Sequence, residues 1–281
     1  MPDRSKALRK AYAADICRRA GVRDPRVEAA FAAVRREDFS GPPPWRIAGG
    51  VFGGERANDL RRLYDDVLVA IDPRRGINNG QPSLHAHCIE ALALKEGETV
   101  AHVGAGAGYY TAILARLVGP TGKVFAYEIE TDIADRASAA LASYPQVEVF
   151  ARSGVEGLPP VDCVYVNAAA SHPAKGWLDA LKVGGRLMFP MHAAGSSGAM
   201  LLVTRPQSGG VWPAKFLSGV VFIACEGVQD PVTAVRLDEA FRRGGSGQVK
   251  SLRFGAEARD TDWLRGEGWA LSTEAPPSVQ D

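Results

Sequence analysis

Apolar residues recur at every fourth position near the start of the chain, at Leu8, Tyr12, Ile16 and Ala20, within a segment rich in Arg and Lys. That spacing lines one face and predicts a basic helix over 4–20. Asp24 followed by Pro25 gives a start signal for a second helix, with the aspartate at the cap and the proline in the first turn. Its apolar side is Val27, Ala30, Phe31 and Val34. The Gly/Pro-rich stretch 40–44 is a break, and 45–75 follows neither period and reads as irregular. From Pro82 onward the pattern sharpens. Helices predicted over 82–94, 110–117, 132–143 and 177–181 alternate with short apolar runs at 98–103, 123–128, 147–150, 161–167 and 186–190. The run 161–167 is almost continuously apolar, as a strand covered on both faces would be. Gly184-Gly185 reads as the stop of the last of these helices. Strands alternating with helices predict an α/β fold with a doubly wound, mostly parallel sheet. Two strand-like runs with no helix between them, 200–205 and 216–224, predict an antiparallel C-terminal edge hairpin turned by Ser208-Gly209-Gly210. Beyond 230 only a helix at 238–243 and a Gly-rich loop are legible. The end of the chain from Thr273, polar and rich in Pro and Ser, reads as disordered.

Composition narrows the function classes. The 281 residues are 46% hydrophobic and 23% charged, enough for one large domain with appendages. Basic and acidic residues number 33 and 32, so the chain lacks the basic surplus of a nucleic-acid binder. Cys17, Cys88, Cys163 and Cys225 are widely spaced, which argues against a disulfide framework or a metal site and for reduced thiols. The N-terminal segment has no apolar core of a signal peptide, and no run approaches the about 20 apolar residues of a membrane span. The protein is therefore read as cytoplasmic, without membrane partners.

The chemistry centres on Val103-Gly104-Ala105-Gly106-Ala107-Gly108, which links a predicted strand to a predicted helix. Glycines there let the backbone approach a ligand closely, and in a doubly wound sheet ligands bind at the carboxyl ends of strands. Such a string serves a nicotinamide dinucleotide or S-adenosyl-L-methionine. Two features favour the second. The string runs on into Tyr109-Tyr110 instead of completing Gly-x-Gly-x-x-Gly, and about a hundred residues precede it. Glu128 closes the next strand twenty residues after Gly108, where a carboxylate accepts from ribose hydroxyls. Glu130 lies beyond the strand and reads as solvated. His85 and Cys88 share a helix face, but no third ligand accompanies them, so no metal site is assigned. Polar candidates for the acceptor side are Asn78, Asn79, Gln81, His85, Asn167, Ser171 and His172; His172 is either a substrate contact or a solvated loop residue, and His192 reads as structural.

Several blocks, in order, resemble the protein-L-isoaspartate O-methyltransferases, class I methyltransferases with a Rossmann-like fold. They are Val22-Arg23-Asp24-Pro25-Arg26-Val27 with Ala33-Val34-Arg35-Arg36-Glu37-Asp38-Phe39; Tyr64-Asp65-Asp66; Gln81-Pro82 with His85-Ala86; Gly104 to Leu114; and Asp162 to Pro190, containing Ala168-Ala169-Ala170 and Gly184-Gly185-Arg186-Leu187. The resemblance covers about three quarters of the chain, from Val22 to Asp230. It implies S-adenosyl-L-methionine as cofactor, held by Gly104, Ala105, Gly106, Gly108, Glu128, Ser153, Gln81 and His85. It implies an acceptor site served by Asn79, Gln81, Asn167 and His172, and O-methylation of a carboxylate such as an L-isoaspartyl residue. The implied division is a helical lead-in packed on the core over 1–75, a cofactor-binding domain over 76–230 and a C-terminal extension over 231–281.

The chain departs from the family at two places. Asn78-Asn79-Gly80 stands where the family has Thr-Ile-Ser, removing a hydroxyl beside the cofactor and acceptor; either Asn79 offers an amide in its place or the role is lost. Ser153, in Arg152-Ser153-Gly154, stands where the family has an aspartate for the adenine amine. These departures keep two alternatives open: a related methyltransferase acting on a small metabolite or biosynthetic peptide, and a catalytically silent cofactor-binding module. The acceptor is thus a protein, a peptide or a small molecule. The sequence leaves the oligomeric state open, a homodimer included.

Overall fold

The computed structural model describes residues 5–48, 55–255 and 257–277. In chain order its elements are α1 (Lys6–Ala20), α2 (Pro25–Ala33), β1 (Trp45–Ala48), β2 (Glu55–Ala57), α3 (Leu60–Leu63), β3 (Leu68–Asp72), β4 (Ile77–Asn78), α4 (Pro82–Leu92), β5 (Thr99–Val103), α5 (Tyr109–Val118), β6 (Lys123–Glu128), α6 (Thr131–Ala140), β7 (Val147–Ala151), β8 (Val161–Val166), α7 (Lys175–Ala180), β9 (Leu181–Met191), β10 (Gly198–Thr204), β11 (Val211–Val220), α8 (Pro231–Arg243), β12 (Ser251–Phe254), β13 (Asp262–Gly266) and β14 (Trp269–Ser272). They fall into two compact units. One holds the chain up to Thr99 together with 104–152; the other holds 100–103 and everything from Ser153.

In the first unit the helix signals act as the sequence predicts. The Asp24 carboxylate accepts the Arg26 N–H to open α2, and Gly21, which the sequence reading did not single out, ends α1 in a left-handed conformation, φ 68°. The apolar faces of α1 and α2 meet the start of α5 through Tyr12, Phe31, Tyr109 and Tyr110, whose rings pack edge-on at 5.1–6.5 Å. In the stretch 45–75, read as irregular, residues 49–54 lie outside the described residues; the others contribute β1, β2 and β3 to a small antiparallel sheet, order β2-β1-β3-β4, around Trp45, Ile47, Ala57, Leu63 and Val69. Its strands are two to five residues long, too short to show a period. Arg36, fully buried, fastens this sheet to the lead-in. Its guanidinium donates to the carbonyls of Leu63, Asp65 and Val67 at 2.6, 2.9 and 2.6 Å and lies over the Tyr12 and Tyr109 rings. β6 and β7 run parallel, from Val124 opposite Val147 to Glu128 opposite Ala151.

The second unit contains the strand series β13-β14-β12-β11-β10-β9-β8-β5. β5, β8 and β9 are parallel, and the other neighbours are antiparallel. The hairpin expected after 200 is β10–β11. It is followed by three further strands from the extension, which the sequence pattern did not reveal. There α8 and β13 close over an aromatic trio, Phe216, Phe241 and Trp263, with centroids 5.2–5.4 Å apart. Gly184 and Gly185 do not stop a helix: α7 ends at Ala180, and the pair forms a bulge in β9, where the register against β8 jumps from Val161–Leu181 to Cys163–Arg186. The tail read as disordered from Thr273 is hydrogen-bonded at its start, Thr273 to the Thr261 carbonyl and the Glu274 carbonyl to Ser251 Oγ; 278–281 lie outside the described residues. Among the described residues, no helix is long and apolar enough to cross a membrane, and no group of three His, Cys, Asp or Glu converges as a metal site.

Candidate active site

The glycine loop is built by three left-handed residues, Gly104, Gly106 and Gly108, at φ 71°, 56° and 93°. A side chain at Gly108 would press on Leu141, its Cβ 2.7 Å from Cδ1, while residue 108 also has to cap α5. The amides of Gly104 and Ala105 donate to the Tyr127 carbonyl at 2.9 and 3.0 Å. The Gly106 amide donates to Glu128 Oε2 at 2.7 Å, and the Glu130 amide to Oε1 at 3.1 Å. Gly104, Ala105, Gly106 and Glu128 are thus brought together as one feature. Glu128 is 7% exposed, and burial pushes its carboxyl above the usual range against the opposing backbone donors. Each oxygen keeps a further lone pair, so the carboxylate fits two vicinal hydroxyls of a ribose beside a backbone with no side chain at Gly106.

On the acceptor side of the first unit, the candidates turn to different partners. Asn78 Oδ1 accepts the Gly80 amide at 2.9 Å. Asn79 faces inward: its Oδ1 accepts from the Val69 amide at 2.8 Å and from Arg36 at 3.4 Å. Gln81 Nε2 donates to Asp66 at 3.0 Å, and Asp66 also takes the Ser83 amide and hydroxyl at 2.8 and 2.6 Å. Asp66 therefore caps α4 from a distant loop, a role visible in the sequence only as the end of Tyr64-Asp65-Asp66. His85 is buried and stacks on Tyr110 at 3.6 Å and 16°. Gly80, at φ 71°, lies against that imidazole, and its carbonyl accepts from the Tyr110 hydroxyl at 3.5 Å.

In the second unit, Asn167 stands one residue beyond β8. Its amide N–H donates to the Val103 carbonyl at 2.8 Å, and its side-chain nitrogen lies 2.7 Å from His102 Nε2. Its Oδ1 is buried and has no hydrogen-bond partner among the described residues. His102, which the sequence reading passed over inside an apolar strand, is fully buried, stacked on Tyr165, and pushed down to about 3 by burial, so the ring is neutral. His172 Nδ1 lies 3.1 Å from Ser171 Oγ, which accepts the Asp230 amide at 2.8 Å; burial lowers its pKa and Asp230 opposes the shift. Ser153 is exposed, its Oγ accepting from the Val155 amide at 3.3 Å. His192 is a strut: Nδ1 donates to the Ala193 carbonyl at 2.8 Å and Nε2 accepts the Phe222 amide at 2.9 Å.

Such a set binds and orients more than it moves protons. Methyl transfer from a sulfonium to a carboxylate needs no general base, because the nucleophile is already ionised at neutral pH. What it needs is alignment, a contribution of about 7–11 kcal/mol when complete.

The family model for protein-L-isoaspartate(D-aspartate) O-methyltransferase matches residues 55–229. Two curated protein-L-isoaspartate O-methyltransferases from strains of Rhodopseudomonas palustris are similar to the chain. One is 37% identical over 66% of this chain and 69% of its own length, the other 33% over 77% and 93%. A third, from Pelobacter propionicus, is 33% identical over 74% and 86%. Among solved structures, a protein-L-isoaspartate O-methyltransferase aligns with TM-score 0.67 and 22% identity over 83% of this chain and 69% of its own. The Plasmodium falciparum counterpart, in complex with S-adenosyl-L-homocysteine, aligns with TM-score 0.60 and 19% identity over 78% and 98%. The two structures speak for the shared fold.

Proposed function

The chain belongs to the protein-L-isoaspartate(D-aspartate) O-methyltransferase family, enzymes that use S-adenosyl-L-methionine, and from that premise we propose that it methylates the side-chain carboxylate of L-isoaspartyl residues in proteins or peptides, as a cytoplasmic repair enzyme. The observation that carries the cofactor part is the Glu128 carboxylate bonded to the Gly106 amide at the mouth of the glycine loop. Segment 76–230 is the cofactor-binding domain in this reading, with 1–75 as lead-in and 231–281 as extension. When bound, S-adenosyl-L-methionine supplies an electrophilic methyl group on a sulfonium that leaves as a neutral thioether.

The chain's residues supply position. Gly104, Ala105, Gly106 and Gly108 offer bare backbone to the cofactor, Glu128 accepts from its ribose, and Ser153 serves the adenine amine. Gln81, fixed by Asp66, and His85, fixed by Tyr110, line the approach to the methyl group. Asn167 and His172 offer polar contacts after β8. The inward side chain of Asn79 makes it a support of the β3–β4 hairpin, so the hydroxyl lost at Gly80 is not replaced by Asn79 in this reading. That observation favours one second reading: the same methyl transfer to another carboxylate-bearing acceptor, a small metabolite or modified peptide.

The test is transfer from radiolabelled S-adenosyl-L-methionine to an isoaspartyl peptide, with the matching aspartyl peptide as control. Transfer confined to the isoaspartyl form supports the first reading. Cofactor binding without transfer to either peptide moves the assignment to the second, and absence of cofactor binding removes both.

A further inference from the structure

Asn167 presents a buried amide oxygen without a partner among the described residues. Leaving a buried carbonyl unpaired is costly, and such exceptions call for a specific cause. Here the orientation of the amide is itself constrained. Its nitrogen faces His102 Nε2 at 2.7 Å. An imidazole nitrogen facing an NH2 group must be bare, and the fully buried ring, clamped parallel to Tyr165 with centroids 5.5 Å apart, is held in its neutral form. With the neutral ring in its Nδ1–H tautomer, the NH2 end donates to His102 Nε2 and the oxygen points the other way. The backbone is pinned as well, by the bond from the Asn167 amide to the carbonyl of Val103, the residue directly before Gly104. Asn167 thus stands at the carboxyl end of a parallel strand, the end at which open α/β sheets bind ligands. A water-shielded acceptor with no charge of its own suits an N–H donor, and a cationic donor rewards it most.

Resting on the reading that this chain binds S-adenosyl-L-methionine, we propose that Asn167 Oδ1 accepts from the α-ammonium group of that cofactor and that His102 is the positioning residue which holds the amide oxygen toward it. The cofactor's other nitrogen donor is the adenine amine, which the experiment separates.

Calorimetric titrations would compare S-adenosyl-L-homocysteine, its analogue lacking the amino group, and 5′-methylthioadenosine, which lacks the whole amino-acid arm. The wild type should prefer S-adenosyl-L-homocysteine to the deaminated analogue by about tenfold or more, the size of a charge-assisted bond. Asn167→Leu should erase the preference while 5′-methylthioadenosine binds as before. His102→Phe keeps the ring stack but frees the amide to rotate, and should shrink the preference. The double variant should be no worse than Asn167→Leu alone, because the two residues act as one unit. Asn167→Asp keeps an oxygen on the ligand side and should retain the preference, which guards against a mere folding defect in the leucine variant. A preference that survives Asn167→Leu, an equal loss for 5′-methylthioadenosine, additive effects of the two single variants, or loss of preference in Asn167→Asp would each overturn the proposal. A wild type that binds the ligands without preference overturns it alone; a wild type that binds none of the three overturns the cofactor reading as well.

Discussion

The imidazole of His85 lies nearly parallel to the phenol ring of Tyr110, centroids 3.6 Å apart, and fills the space that a side chain at Gly80 would need. Gly80 also holds φ 71°, in the left-handed region. Two costs therefore fall on Gly80→Ser, about 1–2 kcal/mol for the backbone and about 1–3 for the overlap. Urea unfolding should show a loss of about 2–5 kcal/mol. In a Gly80→Ser/His85→Ala background the overlap is relieved, so the two costs should sum to less than the single variants imply. Strict additivity would sink this account of why glycine occupies the position.

Glu128 gives a prediction in affinity. Its carboxylate must be ionised to accept from two hydroxyls while it already takes the Gly106 and Glu130 amides. Removing it with Glu128→Ala should weaken S-adenosyl-L-homocysteine by about 10- to 100-fold, the loss of hydrogen bonds to a charged group. Because burial raises this carboxyl's pKa, wild-type affinity should begin to fall on acidification at a higher pH than an ordinary glutamate would give. Titrations of binding against pH, wild type beside Glu128→Ala, check both statements: the variant should show a flatter profile.

Stability against pH follows from three histidines. Burial lowers His102, His172 and His192 below the ordinary imidazole value, His102 to about 3. A histidine with a depressed folded pKa binds fewer protons when folded than when unfolded. Its contribution is complete above the unfolded value of about 6.5 and is lost as pH falls through the window between that value and the folded one. Unfolding free energy should therefore be flat near neutrality and decline below about pH 6.5. In His102→Phe the decline should be shallower. A decline of unchanged slope would show that His102 is not held neutral in the fold.

Much of this arrangement could be read from the sequence, and the exceptions share a cause. Most of the strands and helices between Pro82 and Met191 were legible because short apolar runs alternate there with helical spacings in a regular series, and Glu128 was legible from its distance to the glycine loop. Arg36, Asp66 and Asn79 were not, because their partners lie 10 to 43 residues away and are chosen by the folding of β3 and β4, strands of five and two residues. His102 was hidden by its neighbours: between Ala101 and Val103 it reads as one more strand position, and only burial beside Asn167 gives it a role. Gly184-Gly185 carried the composition of a helix stop but serves a bulge, a distinction that depends on the register of β8 against β9.

The extension gives the sharpest test of what holds β12, β13 and β14. Arg253 and Asp262 form an ion pair at 2.6 Å with side chains 5% and 3% exposed. Asp262 also accepts the Arg259 amide at 3.0 Å, and Arg253 donates to the Glu257 carbonyl at 3.3 Å. Both charges have been taken out of water, so the pair adds little net stability over apolar residues of the same volume, yet either charge left alone is costly. Asp262→Ala strands a buried guanidinium whose Nε already lacks a partner among the described residues. It should cost about 3–5 kcal/mol in chemical unfolding. Arg253→Met alone should cost less, because the Asp262 carboxylate keeps the Arg259 amide at 3.0 Å and the Arg265 guanidinium at 3.5 Å. The double variant Arg253→Met/Asp262→Leu should recover most of the loss, since no charge remains to be desolvated. If the double variant is as unstable as the sum of the single ones, the pair stabilises through its own attraction, and the desolvation account of this part of the fold is wrong.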